Sequence, residues 1–177
     1  MFRMSAALWV LLVAITSVAR AQSTSTDFRD EAIEHFERSS SKIIQLAAAM
    51  PEELYGWSPM ENVMHVSQVY MHIARYNYLY LSRELGLPLP AHIDMSTMEA
   101  VTEKARVTAM LQESVEYVRR HIAAMNNEDL TRVTRLYGRE VPGWAVLFQL
   151  VAHMNEHVGQ SVAYARMNSI VPPWSMP

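Results

Sequence analysis

The chain has no cysteine among its 177 residues. Disulfides and thiol nucleophiles are therefore excluded, and stability has to come from packing. Glycine is scarce, with five residues, and proline, with eight, is sparse within long stretches of strong helix formers. That scarcity points to an all-α chain. No charge of one sign dominates, since 15 Lys and Arg stand against 18 Asp and Glu for a formal charge of −3. Mild acidity argues against nucleic acid or an anionic membrane as partner. No apolar run reaches the roughly 18 residues that a membrane span needs.

What is present begins with Arg3, a nearly unbroken apolar run from Ala6 to Ile15, and Ala19-Arg20-Ala21. A positive start, a short apolar stretch and a small-x-small site are the pattern of a secretory signal peptide. The expected cleavage follows Ala21, and with no cysteine after it a lipid-anchored product is excluded. Loss of Arg3 and Arg20 would take the charge to about −5. The expected exported domain, residues 22–177, is about 156 residues long and large enough for one real core.

Periodicity predicts four long helices. The first starts near Asp27 and runs to about Met50, with Ala32, Phe36, Ile43, Leu46 and Ala47 as its apolar stripe. Ser58-Pro59-Met60-Glu61 has the form of a capping box and predicts a second helix to about Leu85, with Gly86 as the stop. On it His65, His72, Tyr76, Leu79 and Arg83 follow heptad-like spacing. Ser96-Thr97-Met98-Glu99 has the same form and predicts a third helix from there to about Met125. Val101, Val107 or Thr108, Leu111, Val115, Val118 and Ile122 would face the core. Residues 130–141 alternate loosely around Gly138 and read as a short irregular hairpin. A last helix is expected from Pro142-Gly143-Trp144 to about Asn168, before Pro172-Pro173. Four such helices imply an antiparallel four-helix bundle with a short irregular excursion before the last helix.

Seven histidines occur, at 35, 65, 72, 92, 121, 153 and 157. His153 and His157 are spaced i,i+4, so they share one helix face and can reach one metal ion. Gln160 and Tyr164 extend the same polar stripe along a helix rich in Val146, Leu147, Leu150 and Val151. Burying that stripe without partners would cost a few kcal/mol. A metal or a water-filled cavity removes the cost. His72, flanked by Met71 and Ile73 in mid-helix, is the first candidate for a third ligand, and His65 the second. His35, His92 and His121 lie in polar or loop contexts. His153-x-x-Glu156-His157 also matches the inverted zinc-protease string. The twenty residues after His157 contain no His, Glu, Asp or Cys to complete that site, and Glu156, on the flank of the pair, is left open for a supporting role. The thirteen methionines form no Met-x-Met cluster, and Met71 and Met154 point away from the adjacent histidines, as core fillers do. Trp57 and Trp174 flank proline-rich loops and could wall a pocket.

Met50-Pro51-Glu52-Glu53-Leu54-Tyr55-Gly56-Trp57-Ser58-Pro59 and His72-Ile73-Ala74-Arg75-Tyr76-Asn77-Tyr78 carry a resemblance that the last helix strengthens. There, His153-x-x-x-His157-x-Gly159-Gln160 is followed by Tyr164-x-Arg166-x-Asn168-x-Ile170-Val171-Pro172-Pro173. Together these strings resemble the DinB-like superfamily, four-helix bundles with a metal held by three histidines. The resemblance implies that His72, His153 and His157 are the ligands. It also implies that Asn77, Gln160, Tyr164 and Arg166 are structural or support the ligands. One departure is His65-Val66, where relatives often carry Thr or Ser with an aromatic residue.

Three imidazoles accept a divalent metal ion, zinc or nickel foremost, with iron and copper also compatible, and leave positions open for water or substrate. Bound water would be acidified, and a soft anion such as a thiolate could coordinate. The family includes thiol-dependent transferases and isomerases and metal-dependent hydrolases. Export into an oxidising compartment favours hydrolysis or plain metal binding over thiol transfer. The expectation is an exported metal-dependent hydrolase or transferase for a small-molecule substrate, with Glu156 and His65 as candidate bases. The alternative is a non-catalytic metal-binding or stress-response bundle. A homodimer packed along bundle faces is compatible with either.

Overall fold

The computed structural model describes residues 24–175. The expected signal peptide, residues 1–21, lies outside the described residues. Four long helices, α1 (Thr24–Ala49), α2 (Val66–Leu79), α3 (Lys104–Ala124) and α5 (Gly143–Met167), form the bundle. A short helix α4 (Asn127–Thr131) and a hairpin of β1 (Val133–Leu136) and β2 (Arg139–Pro142) precede α5. The four-helix fold expected from periodicity is the one observed.

Helix directions follow from side chains that touch. Tyr164 reaches Met64 and Gln149 reaches Tyr80, so α2 and α5 run antiparallel. Arg119 meets Glu37 and Lys104 meets Met50, so α1 and α3 are antiparallel too. Phe28 packs on Trp144 and Ser39 bonds Asn155, so α1 and α5 run parallel. It follows that α2 and α3 are also parallel. Around the bundle the order is α1, α3, α2, α5, each helix having one parallel and one antiparallel neighbour. Short loops join antiparallel neighbours. Two parallel helices adjacent in sequence require a strap along the bundle, and residues 86–103 are that strap, lying against α2.

Helices α1 and α3 bury the stripes their periodicity marks, whereas the heptad-like series on α2 is only partly covered from His65 to Leu79 and is exposed at Arg83. Ala32, Phe36, Ile43, Leu46 and Ala47 of α1 are buried, as are Val107, Leu111, Val115, Val118 and Ile122 of α3. Val101 and Thr108 are only partly covered, and Val101 lies ahead of the helix. Met71 and Met154 fill the core. Asn77 is buried and donates to Ser114 Oγ at 3.0 Å, tying α2 to α3.

Two expected helix starts are wrong for the same reason. Ser58 does not cap α2; its hydroxyl donates to the Met60 carbonyl, and Asn62 at φ 61° cannot continue a helix. The chain turns through 58–65, and α2 starts only at Val66. Two of its first amides find partners in the preceding turn, and the third is capped by His65. Val66 N donates to Trp57 O at 3.0 Å, Ser67 N to Tyr55 O at 2.9 Å, and Gln68 N to His65 Nδ1 at 3.1 Å. In the second case Ser96 and Thr97 bond Asp94 rather than a helix end. Met98–Ala100 make a single tight turn and α3 waits until Lys104. Lys104 Nζ donates to the carbonyls of Ala48 and Met50 at 2.9 and 2.6 Å, placing a cation on the negative end of α1.

The α2 helix loosens into a wider turn at Tyr80–Glu84 and stops at Gly86 as expected. Asn126 and Asp129 form a capping box for α4. The expected hairpin is present, with Val133 opposite Pro142 and Leu136 opposite Arg139. Its two-residue turn, Tyr137-Gly138, has φ of 51° and 79°, the left-handed pair that such hairpins need. Gly143 opens α5 where a side chain would not fit, since a Cβ there would lie 2.3 Å from Asp129 O.

Candidate metal centre

On α5 Val146, Leu147, Leu150 and Met154 pack inward, Trp144 and Phe148 stay exposed, and a polar stripe of His153, His157, Gln160 and Tyr164 turns toward α2. His153 and His157 are 7% and 8% exposed. Facing them across the α2/α5 groove is the partly covered side of α2, which carries His72 and Tyr76. One donor nitrogen from each of His72, His153 and His157 lies within 4.8 Å of the others. Ring centroids are separated by 5.2 Å for His72 and His153, 4.9 Å for His72 and His157, and 4.5 Å for His153 and His157.

Hydrogen bonds at the far side of two rings determine which nitrogen is free. Tyr164 sits 3.0 Å from the Met64 carbonyl, which can only accept, so its hydroxyl donates there. The Tyr164 oxygen then accepts from Gln160 Nε2 at 3.0 Å, which turns Gln160 Oε1 toward His157 Nδ1 at 2.8 Å. His157 therefore carries its proton on Nδ1 and presents a bare Nε2. His72 Nδ1 lies 2.9 Å from Glu99 Oε1, an acceptor, so its Nε2 is bare as well. His153 Nε2 is 3.2 Å from His157 Nε2. A neutral His153 can donate a proton into that contact, and a cation can take the proton's place.

Protonation is a poor substitute. Burial, with the neighbouring His157 and His72 second, pushes His153 down to about 3. Burial lowers His157 too, against the opposing effect of its bond to Gln160. Both α5 histidines thus favour neutral imidazole, the form that binds metals. Around it Tyr76 stacks on His153 at 4.7 Å and approaches His72 at 4.5 Å. Tyr80 presents its edge to His153 at 5.7 Å and shares a 2.6 Å hydroxyl contact with Tyr137. Trp57 packs edge-on against Tyr164 at 5.4 Å, so it supports the relay from behind. Trp174 instead meets Lys42.

The remaining candidates lie elsewhere. His65 is the N-cap of α2, its Nδ1 occupied by Gln68 N and Ser67 Oγ, so it is neither a third ligand nor a free base. His92 pairs with Glu113, His121 with the Tyr117 carbonyl, and His35 with Glu31. Glu156 is exposed and makes no hydrogen bond to the cluster among the described residues. Arg166 is exposed at the end of α5. Glu99 is the residue sequence reading missed. Its capping-box spacing gave it a local role, and nothing in the sequence brings position 99 to position 72.

The sequence signature of the DinB superfamily matches residues 35–163. The chain belongs to the DinB superfamily. Solved structures agree on the fold. A DinB-like protein from Bacillus cereus is 17% identical with a TM-score of 0.69, over 81% of this chain and 95% of that one. YfiT from Bacillus subtilis, described as a probable metal-dependent hydrolase with an unusual four-helix bundle topology, is 17% identical. Its TM-score is 0.65, with 85% and 93% of the two chains covered. A mycothiol-dependent maleylpyruvate isomerase is 13% identical with a TM-score of 0.59, over 74% of this chain and 59% of its own. Among curated proteins none matches.

The donor set fits a divalent ion. Nitrogen ligands at about 2.05 Å from a tetrahedral metal stand about 3.3 Å apart. The His153–His157 separation of 3.2 Å already has that span. No carboxylate or thiol joins the three imidazoles in the cluster among the described residues.

Proposed function

We propose that His72, His153 and His157 hold a divalent metal ion and that the protein is a metal-dependent hydrolase or transferase acting on a small molecule. The observation that carries this reading is the convergence of three imidazoles, two of them already fixed with Nε2 free. An ion held by three histidines keeps open positions and supplies a Lewis acid for water or substrate. This chain's residues do the rest. Gln160, Tyr164 and the Met64 carbonyl hold the His157 ring, while Tyr76 and Tyr80 exclude water from the His153 side. The His72 side chain, 16% exposed, leaves an approach from the groove. Zinc and nickel are the ions proposed first. Residues 1–21 are proposed to direct export, on the strength of their sequence pattern.

A non-catalytic metal-binding protein is the second reading, and the fate of the two candidate bases favours it. His65 is committed to a helix cap and Glu156 faces outward, so neither adjoins the three histidines. Reconstitution of residues 22–177 with zinc or nickel, followed by elemental analysis, tests the site. Less than about 0.2 metal per chain would sink both readings. Turnover of simple esters, amides or thiol adducts that disappears in His153→Ala separates enzyme from binder. Stoichiometric metal with no turnover leaves the binder.

A further inference from the structure

Glu99 reaches the site from the strap, not from either helix that carries a histidine. Its Oε1 lies 2.9 Å from His72 Nδ1 and 3.4 Å from Arg75 Nη1. The strap is built to hold it there. Asp94 fixes the turn before it through the amide and hydroxyl of Ser96 at 2.9 and 2.6 Å and through Thr97 Oγ1 at 3.1 Å. Met98, next to Glu99, is 1% exposed and pins the tight turn into the core. Arg75, on the α2 turn after His72 and over the Tyr76 ring at 5.4 Å, meets the same carboxylate oxygen. The Glu99 side chain is only 28% exposed, which is little for a glutamate on a surface turn.

We propose that Glu99 is a positioning residue for the metal centre, acting through His72. The proposal rests on the reading of the three histidines as a metal site. A free neutral imidazole in water favours a proton on Nε2, the nitrogen that His72 has to offer. By accepting from Nδ1, Glu99 holds the proton at the other end of the ring, fixes its plane and strengthens Nε2 as a donor. His157 receives the same service from the neutral Gln160 amide on its own helix. For His72 the partner is an anion on another segment, so ligand quality on the α2 side depends on how the strap is seated.

Two measurements test this. Zinc affinity, read by competition with a chromophoric chelator, is expected to weaken about 10- to 100-fold in Glu99→Ala. Glu99→Gln, which keeps an oxygen acceptor without the charge, should recover most of that loss. Imidazole nitrogen NMR of the metal-free protein should show His72 protonated on Nδ1 in the native chain and in both tautomers in Glu99→Ala. A Glu99→Ala protein with native zinc affinity and an unchanged His72 tautomer would overturn the proposal. So would a Glu99→Gln variant as weak as Glu99→Ala, because charge rather than position would then be at work. If Glu99→Ala does not fold, Glu99→Asp withdraws the acceptor by one methylene while keeping the charge. Native affinity in that variant would also overturn the proposal. Failure of the native chain to bind zinc would defeat the metal reading, whereas the tautomer readout judges Glu99 without any metal.

Discussion

On α5, His153, His157, Gln160 and Tyr164 are neighbours on one helix, and a single polar stripe supplies two rings and the partner of one. Across the groove, His72 takes its partner from Glu99, 27 positions further along the chain on the strap. The two walls present the same kind of nitrogen and get there by different routes. Helix geometry brings the members of the first together, and only the Met64 carbonyl that orients Tyr164 comes from outside α5. The second exists only when α2, the strap and Met98 are all packed. One wall is therefore mostly local, with a single tertiary anchor at Met64, and the other is wholly tertiary.

Breaking either wall outright should have the largest effect. His153→Ala and His72→Ala are each expected to drop bound metal below about 0.2 per chain, measured by elemental analysis after reconstitution. Retention of full stoichiometry in one of them would show that the two walls are not equal partners.

Acid tests the α5 wall next. His153 falls from an ordinary 6.5 to about 3 because it is buried. Between those values the unfolded chain binds the extra proton and the folded chain does not. Stability of the metal-free protein should be intact above pH 6.5 and fall by a few kcal/mol as the pH drops toward 3. Bound metal leaves in the same direction, since protons compete for the imidazoles. Thermal melts of the native chain and His153→Ala across this range should diverge. Parallel pH profiles would show that the burial of His153 does not govern the transition.

Tyr164→Phe removes the hydroxyl that joins Gln160 to Met64 O. A loss of about 1–2 kcal/mol by chemical denaturation is expected, because the Met64 carbonyl and the Gln160 amide both lose a partner. The smallest effect belongs to Tyr137→Asn at the hairpin tip. Asn suits the left-handed conformation that costs a tyrosine roughly 1 kcal/mol, but it forfeits the contact with Tyr80. The two should nearly cancel, and a shift beyond about 1 kcal/mol either way would show which one dominates.

The same contrast explains what could be read from the chain. The stripes of α1, α3 and α5 are visible because burial imposes helical periodicity on the residues themselves. The i,i+4 pair on α5 is visible for the same reason. Ser58 and Ser96 misled because a capping box is only a local possibility. Trp57 O, Tyr55 O and His65 Nδ1 satisfy the first amides of α2 instead, and the α2 start moved to Val66. The strap was hidden because its direction is set by how α2 and α3 pack, which no periodicity records. Glu99 was hidden with it, and so was the withdrawal of His65 from the site.

Parallel α1 and α5 have a consequence for how the chain could be recut. The described domain begins at the Gly143 end of the bundle, while Trp174 lies beside Lys42, eighteen residues up α1. At 1.5 Å per residue the two ends stand about 27 Å apart along the axis. A circular permutant would need a linker of at least about eight extended residues to join them. Opening such a permutant between Met98 and Lys104 would leave the four long helices whole while cutting the strap beside Glu99, a change of connectivity aimed at the ligand and not the bundle.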